Sequence, residues 1–445
     1  MPIAPLGIGS YKRSDGLVPE VVLRNLYLEE DKSGISPDKT LRVQRPGLVL
    51  ERDYGAPTRA VHYRTATNER LVVAGGQLYS GADSKGVVPG IGIVPVTATQ
   101  FAAALVANDQ AFIYTTALAP VPLPNDAPVI GRVQDVDQLN NYIIWLQPNG
   151  RFYWMVPGMA AIDPLNFATA ESLPDAGVAL RRLGDEFWIF GAENIEVWQP
   201  TGDQDLPFAR AGGRNFERGC LYRDTVRRFD NTLVWVGDDY QVYRAANVPQ
   251  VISDAGLSER IRKATSACSS WTFGIDGHSF YVLRIPGQGT FAYDASTQAW
   301  SEFASKGAGN WLPVSGAQIN GVTYAGSSDD GRLWRVSGDA VNDDGQAIEC
   351  VVTATIPILG KPPRNDSVSV GVGASIDCDI LLRWKDGQDD FPAYYDPVEV
   401  RAPFDVGTLW RLGQPDQPYR TLEISKIDPN ARIRIAGLVV NDAWQ

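Results

Sequence analysis

Asn231-Thr232-Leu233-Val234-Trp235-Val236-Gly237-Asp238-Asp239-Tyr240-Gln241-Val242-Tyr243-Arg244-Ala245 carries the pattern that decides the fold. A run of β-branched and aromatic residues meets a Gly-Asp-Asp turn, and a second short run ends on an aromatic ring. That is the mark of an antiparallel hairpin. The phrase returns at 68–81 (NERLVVAGGQLYSG), 141–156 (NYIIWLQPNGRFYWMV), 185–199 (DEFWIFGAENIEVWQ) and 321–336 (GVTYAGSSDDGRLWRV), with weaker copies around Tyr114 and Tyr293. The closing aromatics thus stand at 79, 114, 154, 198, 243, 293 and 334, spaced 35 to 50 residues apart. A four-stranded propeller blade takes about 40 to 50 residues. Its two apolar faces are covered only by neighbouring blades, so the repeat must close into a ring. The sequence therefore predicts an all-β chain with a propeller of six or seven blades over residues 46–345, each aromatic being a packing residue.

Outward from the repeat the texture changes. Residues 346–445 hold longer alternating segments, such as 374–387 (ASIDCDILLRWKDG) and 430–442 (NARIRIAGLVVND), which suit a β-sandwich-like C-terminal domain. Residues 1–45, rich in turn residues and closing on Arg45-Pro46-Gly47, read as an extended N-terminal arm that lies against another surface. The one clear helical phrase is Ser253 to Ala264, with Leu257 and Ile261 on one face and Ser258 as its cap.

The composition excludes several chemistries. Of 445 residues, 40 are Lys or Arg and 52 Asp or Glu, for a net charge of −12, while 44% hydrophobic residues provide for a packed core. Two histidines, His62 and His278, cannot build a multi-His metal site, and Cys220, Cys268, Cys350 and Cys378 form no C-x-x-C pair. No run of 18 apolar residues and no basic-then-apolar leader occurs, so neither membrane insertion nor secretion is expected. An acidic surface does not grip nucleic acid, though a duplex can slide past it. Gly287-Gln288-Gly289-Thr290-Phe291-Ala292 fits G-x-G-x-x-A but opens no helix, so it reads as a hairpin turn. The acidic pairs Asp238-Asp239, Asp329-Asp330, Asp343-Asp344 and Asp389-Asp390 read as turn formers; none has calcium-loop spacing. Ser327 to Trp334 matches S-x-D-x-G-x-x-W, similar to the Asp-box of propeller hairpins, which is turn chemistry. No catalytic, cofactor-binding or metal-binding residue is assigned. The one segment running against the net charge holds Arg210, Arg214, Arg218, Arg223, Arg227 and Arg228, candidates for contacts with a neighbouring subunit or with DNA.

Three stretches resemble the packaged-DNA stabilisation proteins, the tail hubs or nozzles, of short-tailed P22-like bacteriophages. The first runs from Asn25-Leu26-Tyr27 through Leu41 to Gly47 and on to Ala74-Gly75-Gly76-Gln77-Leu78-Tyr79. The second runs from Glu217-Arg218-Gly219-Cys220 through Trp235-Val236-Gly237, Val242-Tyr243-Arg244 and Pro249 to Ser253 into the Leu257 to Ile261 helix. The third joins His278 to Pro286 with Tyr293-Asp294-Ala295-Ser296 and Trp300; Leu382-Arg383-Trp384 and Trp410-Arg411-Leu412-Gly413 are similar to the family's C-terminal part. The resemblance implies a structural virion protein without catalytic residues, assembled in the host cytoplasm as a homo-oligomeric, hexameric ring. Such a ring extends the DNA channel below the head-to-tail adaptor protein, retains packaged double-stranded DNA, and carries the tail needle and tailspikes. The competing reading is a propeller glycoside hydrolase resembling sialidases, which needs three arginines converging on a carboxylate and a Tyr/Glu pair at the ring centre. A third is a general propeller scaffold for host proteins.

Overall fold

The computed structural model describes residues 6–12, 19–123, 132–170, 176–246, 248–357, 365–415 and 417–441. Seven four-stranded antiparallel blades follow one another along the chain. Their first strands are Thr58–Arg64, Val96–Ala98, Asp135–Leu139, Gly177–Leu183, Arg227–Phe229, Ser269–Ile275 and Pro313–Ile319. Each packs on the first strand of the next blade and the seventh packs on the first, so the ring is closed. The propeller has seven blades, the larger of the two numbers the repeat allowed.

Every closing aromatic falls in the third strand of a blade: Tyr79, Tyr114, Trp154, Trp198, Tyr243, Tyr293 and Trp334. The second strands show why the phrase is so apolar. In Tyr142–Leu146, Ile143 and Trp145 join the cluster shared with the second blade, whereas Ile144 and Leu146 join the one shared with the fourth. Successive side chains leave a strand on opposite faces. A strand covered on both sides therefore reads as an unbroken hydrophobic run. Among the described residues the buried apolar side chains form one cluster at each of the seven blade junctions and one more in the C-terminal sandwich.

The outermost strand of the seventh blade comes from the other end of the sequence. Gly47–Asp53 pairs with Arg332–Ser337, setting Leu48 against Val336 and Leu50 against Trp334. Backbone hydrogen bonds between the two ends of the repeat thus lock the ring shut.

Residues 23–44 correct the expectation of an extended arm. Leu26–Glu30 and Thr40–Gln44 form a hairpin at one side of a five-stranded sheet, next to Ile433–Val440, Asn365–Ala374 and Phe404–Gly413. Leu23–Arg24 belongs to the facing sheet with Cys350–Pro357, Tyr419–Lys426, Cys378–Asp386 and Asp396–Val400. It also pairs in parallel with the outer strand of the sixth blade, Arg24 opposite Glu302, so one sheet runs from propeller to sandwich. Alternation explains the docking: Leu26 and Leu28 enter the sandwich core and Tyr27, between them, enters the core of the sixth and seventh blades. The turn residues lie in the hairpin loop, where Asp31 accepts from the Ser33 and Ser36 N–H groups at 2.8 and 2.6 Å.

Arg45 sits at the junction and is fully buried. Its Nη1 and Nη2 donate to the two carboxylate oxygens of Asp343 at 2.9 and 2.7 Å, and Nε donates to Asn25 Oδ1 at 2.8 Å. The remaining two N–H groups donate to the carbonyls of Pro46 and Ala304, both at 2.9 Å, so all five donors are used. Asp343 was expected only to shape a turn.

The helix spans Ala255–Arg262, with Leu257 and Ile261 buried as the spacing predicts. Its cap is Asp254, not Ser258: the Asp254 carboxylate accepts from the Leu257 N–H at 2.8 Å, while Ser258 lies inside the first turn and donates to the Asp254 carbonyl at 3.0 Å. Asp254→Ala should therefore cost about 1 kcal/mol, seen as a lower urea midpoint. Ser258→Ala should shift that midpoint less; the reverse order would restore the original assignment.

Candidate functional site: the propeller axis and the arginine segment

The structure does not gather the six arginines into one patch. Between residues 208 and 229 the chain leaves the outermost strand of the fourth blade, Phe208–Phe216, and enters the innermost strand of the fifth, Arg227–Phe229, crossing the full width of a blade. Arg210 and Arg214 stay on the outer strand, where Arg214 pairs with Glu186 and lies 5.5 Å from the Trp188 ring centroid. Arg218 lies 3.5 and 3.4 Å from Asp238 and Asp239, and 5.3 Å from the Tyr243 ring. Those two acids also shape their turn, Asp239 accepting from the Gln241 N–H at 3.2 Å and the Tyr243 hydroxyl at 2.7 Å. Arg223 braces the axis: it pairs with Asp224 at 2.9 Å and donates to the carbonyls of Gln134 and Ile93 at 2.8 and 3.1 Å, reaching the third and second blades. Arg227 donates to the carbonyls of Ser270 and Val226, both at 2.8 Å, and Arg228 is exposed within the channel.

All seven first strands contribute to a cavity on the axis of about 230 Å³, with Arg59, His62, Asp137, Arg181, Arg227 and Arg228 among its walls. That is room for about eight water molecules. B-DNA, whose major groove alone is about 12 Å wide, cannot thread it. Burial pushes His62 down to about 4, with Arg228 adding repulsion, so the ring is neutral near pH 7. Burial pushes the Arg227 guanidinium down to about 10, and it remains charged. Asp135, also buried, is pushed up by burial, opposed by Arg181 and Arg223; it pairs with Arg181 and accepts from the Leu180 N–H at 2.8 Å.

None of this is a hydrolase site. Among the described residues the cavity walls include no Tyr and no Glu. Arg59 spends its donors on the carbonyls of Gly75, Val88, Pro89 and Gly92, and Arg181 spends its charge on Asp135. His278 Nδ1 meets both Asp294 Oδ2 at 2.7 Å and Ser296 Oγ at 2.9 Å. Serine and aspartate share one ring nitrogen, so no relay passes through the imidazole. The four cysteines are buried and unpaired, burial pushing Cys220 and Cys268 up to about 12. Among the described residues no three His, Cys, Asp or Glu side chains gather as a metal site, and no helix is long and apolar enough to cross a membrane.

The His278–Asp294 contact does predict a pH effect. The Asp294 hydrogen bond raises His278 above its ordinary value of 6.5, burial opposing. Its contribution is complete below pH 6.5 and is lost as pH rises through the raised value. The stability difference between the wild type and His278→Asn should thus be larger at pH 5.5 than at pH 8.5 in parallel urea titrations; equal differences would show that the pair carries no linkage.

A closed seven-bladed ring joined to a sandwich defines a β-propeller protein. The chain belongs to the family described as Bacteriophage P22 Gp10, beta-propeller, which matches residues 4–340. It is 28% identical over 280 residues to the tail hub protein gp10 of Salmonella phage P22, an alignment covering 57% of this chain and 58% of that protein. The chain thus spans less than two thirds of that relative's length. That relative is described as a tail hub protein. Solved propellers are similar in outline: the WD40 β-propeller domain of Doa1 at 13% identity, covering 66% of this chain and 97% of that one, TM-score 0.43. YCF48 from Cyanidioschyzon merolae is 11% identical, covering 66% and 98%, TM-score 0.44. Neither adds weight to the ring closure seen in the strand pairing.

The sequence reading missed Arg59, Arg181 and Asp135 at the axis. Each sits in an ordinary strand phrase, and nothing local distinguishes an innermost strand from an outer one.

Proposed function

We propose that this chain is one of six subunits of a ring that continues the DNA channel below the head-to-tail adaptor, closes it to retain the packaged genome, and carries the tail needle and tailspikes. Assembly takes place in the host cytoplasm. The family match over residues 4–340 carries this reading. Because a 230 Å³ axis excludes a duplex from a single propeller, the DNA path is the lumen between copies. A chain of net charge −12 suits such a wall, since a surface that neutralised many phosphates would hold DNA through counterion release. Of the arginine segment, we assign Arg210 and Arg214, on the outermost strand of the fourth blade, to acidic groups of a neighbouring copy or to DNA; Arg223 is spent within the chain, and Arg227 partly so. Interfaces above about 1,000 Å² each are expected for a ring that bears internal pressure.

The test is a phage lacking the gene. Its heads should fill with a complete genome and then lose it, and purified protein added afterwards should restore retention and infectivity. Heads that keep their DNA without the protein, or that never fill, would rule out the retention role.

A further inference from the structure

The axial cavity contains more positive charge than its own carboxylates neutralise. Arg181 is matched by Asp135 and Arg223 by Asp224. Asp137 is spent elsewhere, accepting from Thr97 Oγ1 at 3.1 Å and from the N–H groups of Gln138 and Arg182, both at 2.8 Å. Arg59 is wrapped by four carbonyls. Five guanidinium groups thus face three carboxylates, an excess of two, and Arg227 and Arg228 are the ones that also keep unused donors. Arg227 bonds through Nε and Nη1 only, leaving Nη2 unused, and Arg228 has no hydrogen bond or ion pair among the described residues. Neighbours on a strand point to opposite sides, yet both line this cavity because the innermost strand meets the axis edge-on.

The surroundings make this imbalance costly. Arg181 repels Arg227, while Asp224 and Asp135, already paired with other arginines, attract it from a distance; Arg228 repels a proton from His62. Arg227 is half-buried and Arg228 is exposed to the space inside the cavity, so an ion entering it can reach both. Like charges crowded around one cavity repel one another, and an anion between them relieves that repulsion. The unpaired inner edges of seven strands add backbone N–H donors facing the same space.

We propose that a divalent oxyanion of phosphate or sulfate size occupies the propeller axis, held chiefly by Arg228 and the free Nη2 of Arg227. Two uncompensated charges call for a dianion, and a guanidinium offers the paired donors that its oxygens accept. The ion joins the fifth blade to those across the axis, where the chain itself offers no carboxylate to Arg228. The inference is independent of the role in the virion.

Calorimetric titration of the full chain with inorganic phosphate and with sulfate, in a chloride buffer of low ionic strength, should show one saturable site. Acetate should bind at least about tenfold more weakly, and the melting temperature should rise with phosphate, since a ligand selective for the folded state stabilises it. Arg228→Ala, which removes a side chain with no bond to the rest of the chain, should fold normally and lose at least about tenfold in phosphate affinity. Arg335→Ala, which removes an equal charge from an exposed position on the seventh blade, should leave affinity unchanged. Crystals soaked in selenate should give an anomalous peak beside Arg228. No saturable phosphate binding, acetate binding as tight as phosphate, or equal losses in the two variants would each overturn the proposal, as would a selenate peak found only elsewhere.

Discussion

Asp343→Ala should lower the free energy of unfolding by about 3 to 5 kcal/mol, the range for removing one partner from a buried ion pair. Arg45 is fully buried, and the substitution takes away the partner of two of its five N–H groups while leaving its charge in place. The loss should exceed that of an exposed pair such as Arg132–Asp109, where water replaces the missing partner and about 0 to 1 kcal/mol is at stake. The control is the double replacement Arg45→Met with Asp343→Leu, which removes both charges and should recover much of the loss. Urea titrations followed by tryptophan fluorescence report the effect directly, because the Arg45 guanidinium lies 5.3 Å from the Trp311 ring centroid. A single-mutant loss below about 1 kcal/mol would mean that the junction is not held by this pair.

Trp334→Ala and Trp198→Ala should each cost about 3 to 5 kcal/mol, as truncation of a buried aromatic residue does. Trp334 is 1% exposed and packs with Trp271, Phe273 and Trp311 between the sixth and seventh blades. It also pairs through its backbone with Leu50 of the closing strand, so the cavity opens beside the ring's lock. Trp198 is 8% exposed, lies 4.9 Å from the Phe152 ring, and fills the junction of the third and fourth blades. Its indole N–H donates to Glu196 at 3.2 Å, so truncation also removes a hydrogen-bond donor from a buried carboxylate. Unchanged denaturant midpoints in both variants would remove these rings from the core.

The reading of the Asp-box shows how far local sequence reaches. Ser327 accepts from the N–H groups of Asp329 and Asp330 at 3.2 and 3.4 Å, Asp330 accepts from the Arg332 N–H at 3.1 Å, and Gly331 takes a φ of 75°. All of these partners lie within a few residues of one another, so the motif states its own geometry. The closing aromatics are legible for the same reason, because each hairpin carries its turn residues and its packing ring within about fifteen residues and repeats them at blade spacing.

What the sequence by itself determined is therefore the repeating unit: the hairpins, their turns and the ring closing each third strand, together with the acidic net charge. Tertiary structure decided how the ends meet. It brought Gly47–Asp53 to the seventh blade, turned residues 23–44 from an expected arm into sandwich strands, and joined Arg45 to Asp343 across 298 residues. It also split the arginine segment between an outer edge and the axis. The physical reason is range. Alternation and turn chemistry act between residues a few positions apart and leave a pattern, whereas strand pairing and ion pairing between distant segments need only one complementary surface each, formed when the ring closes, and impose no periodicity on the chain.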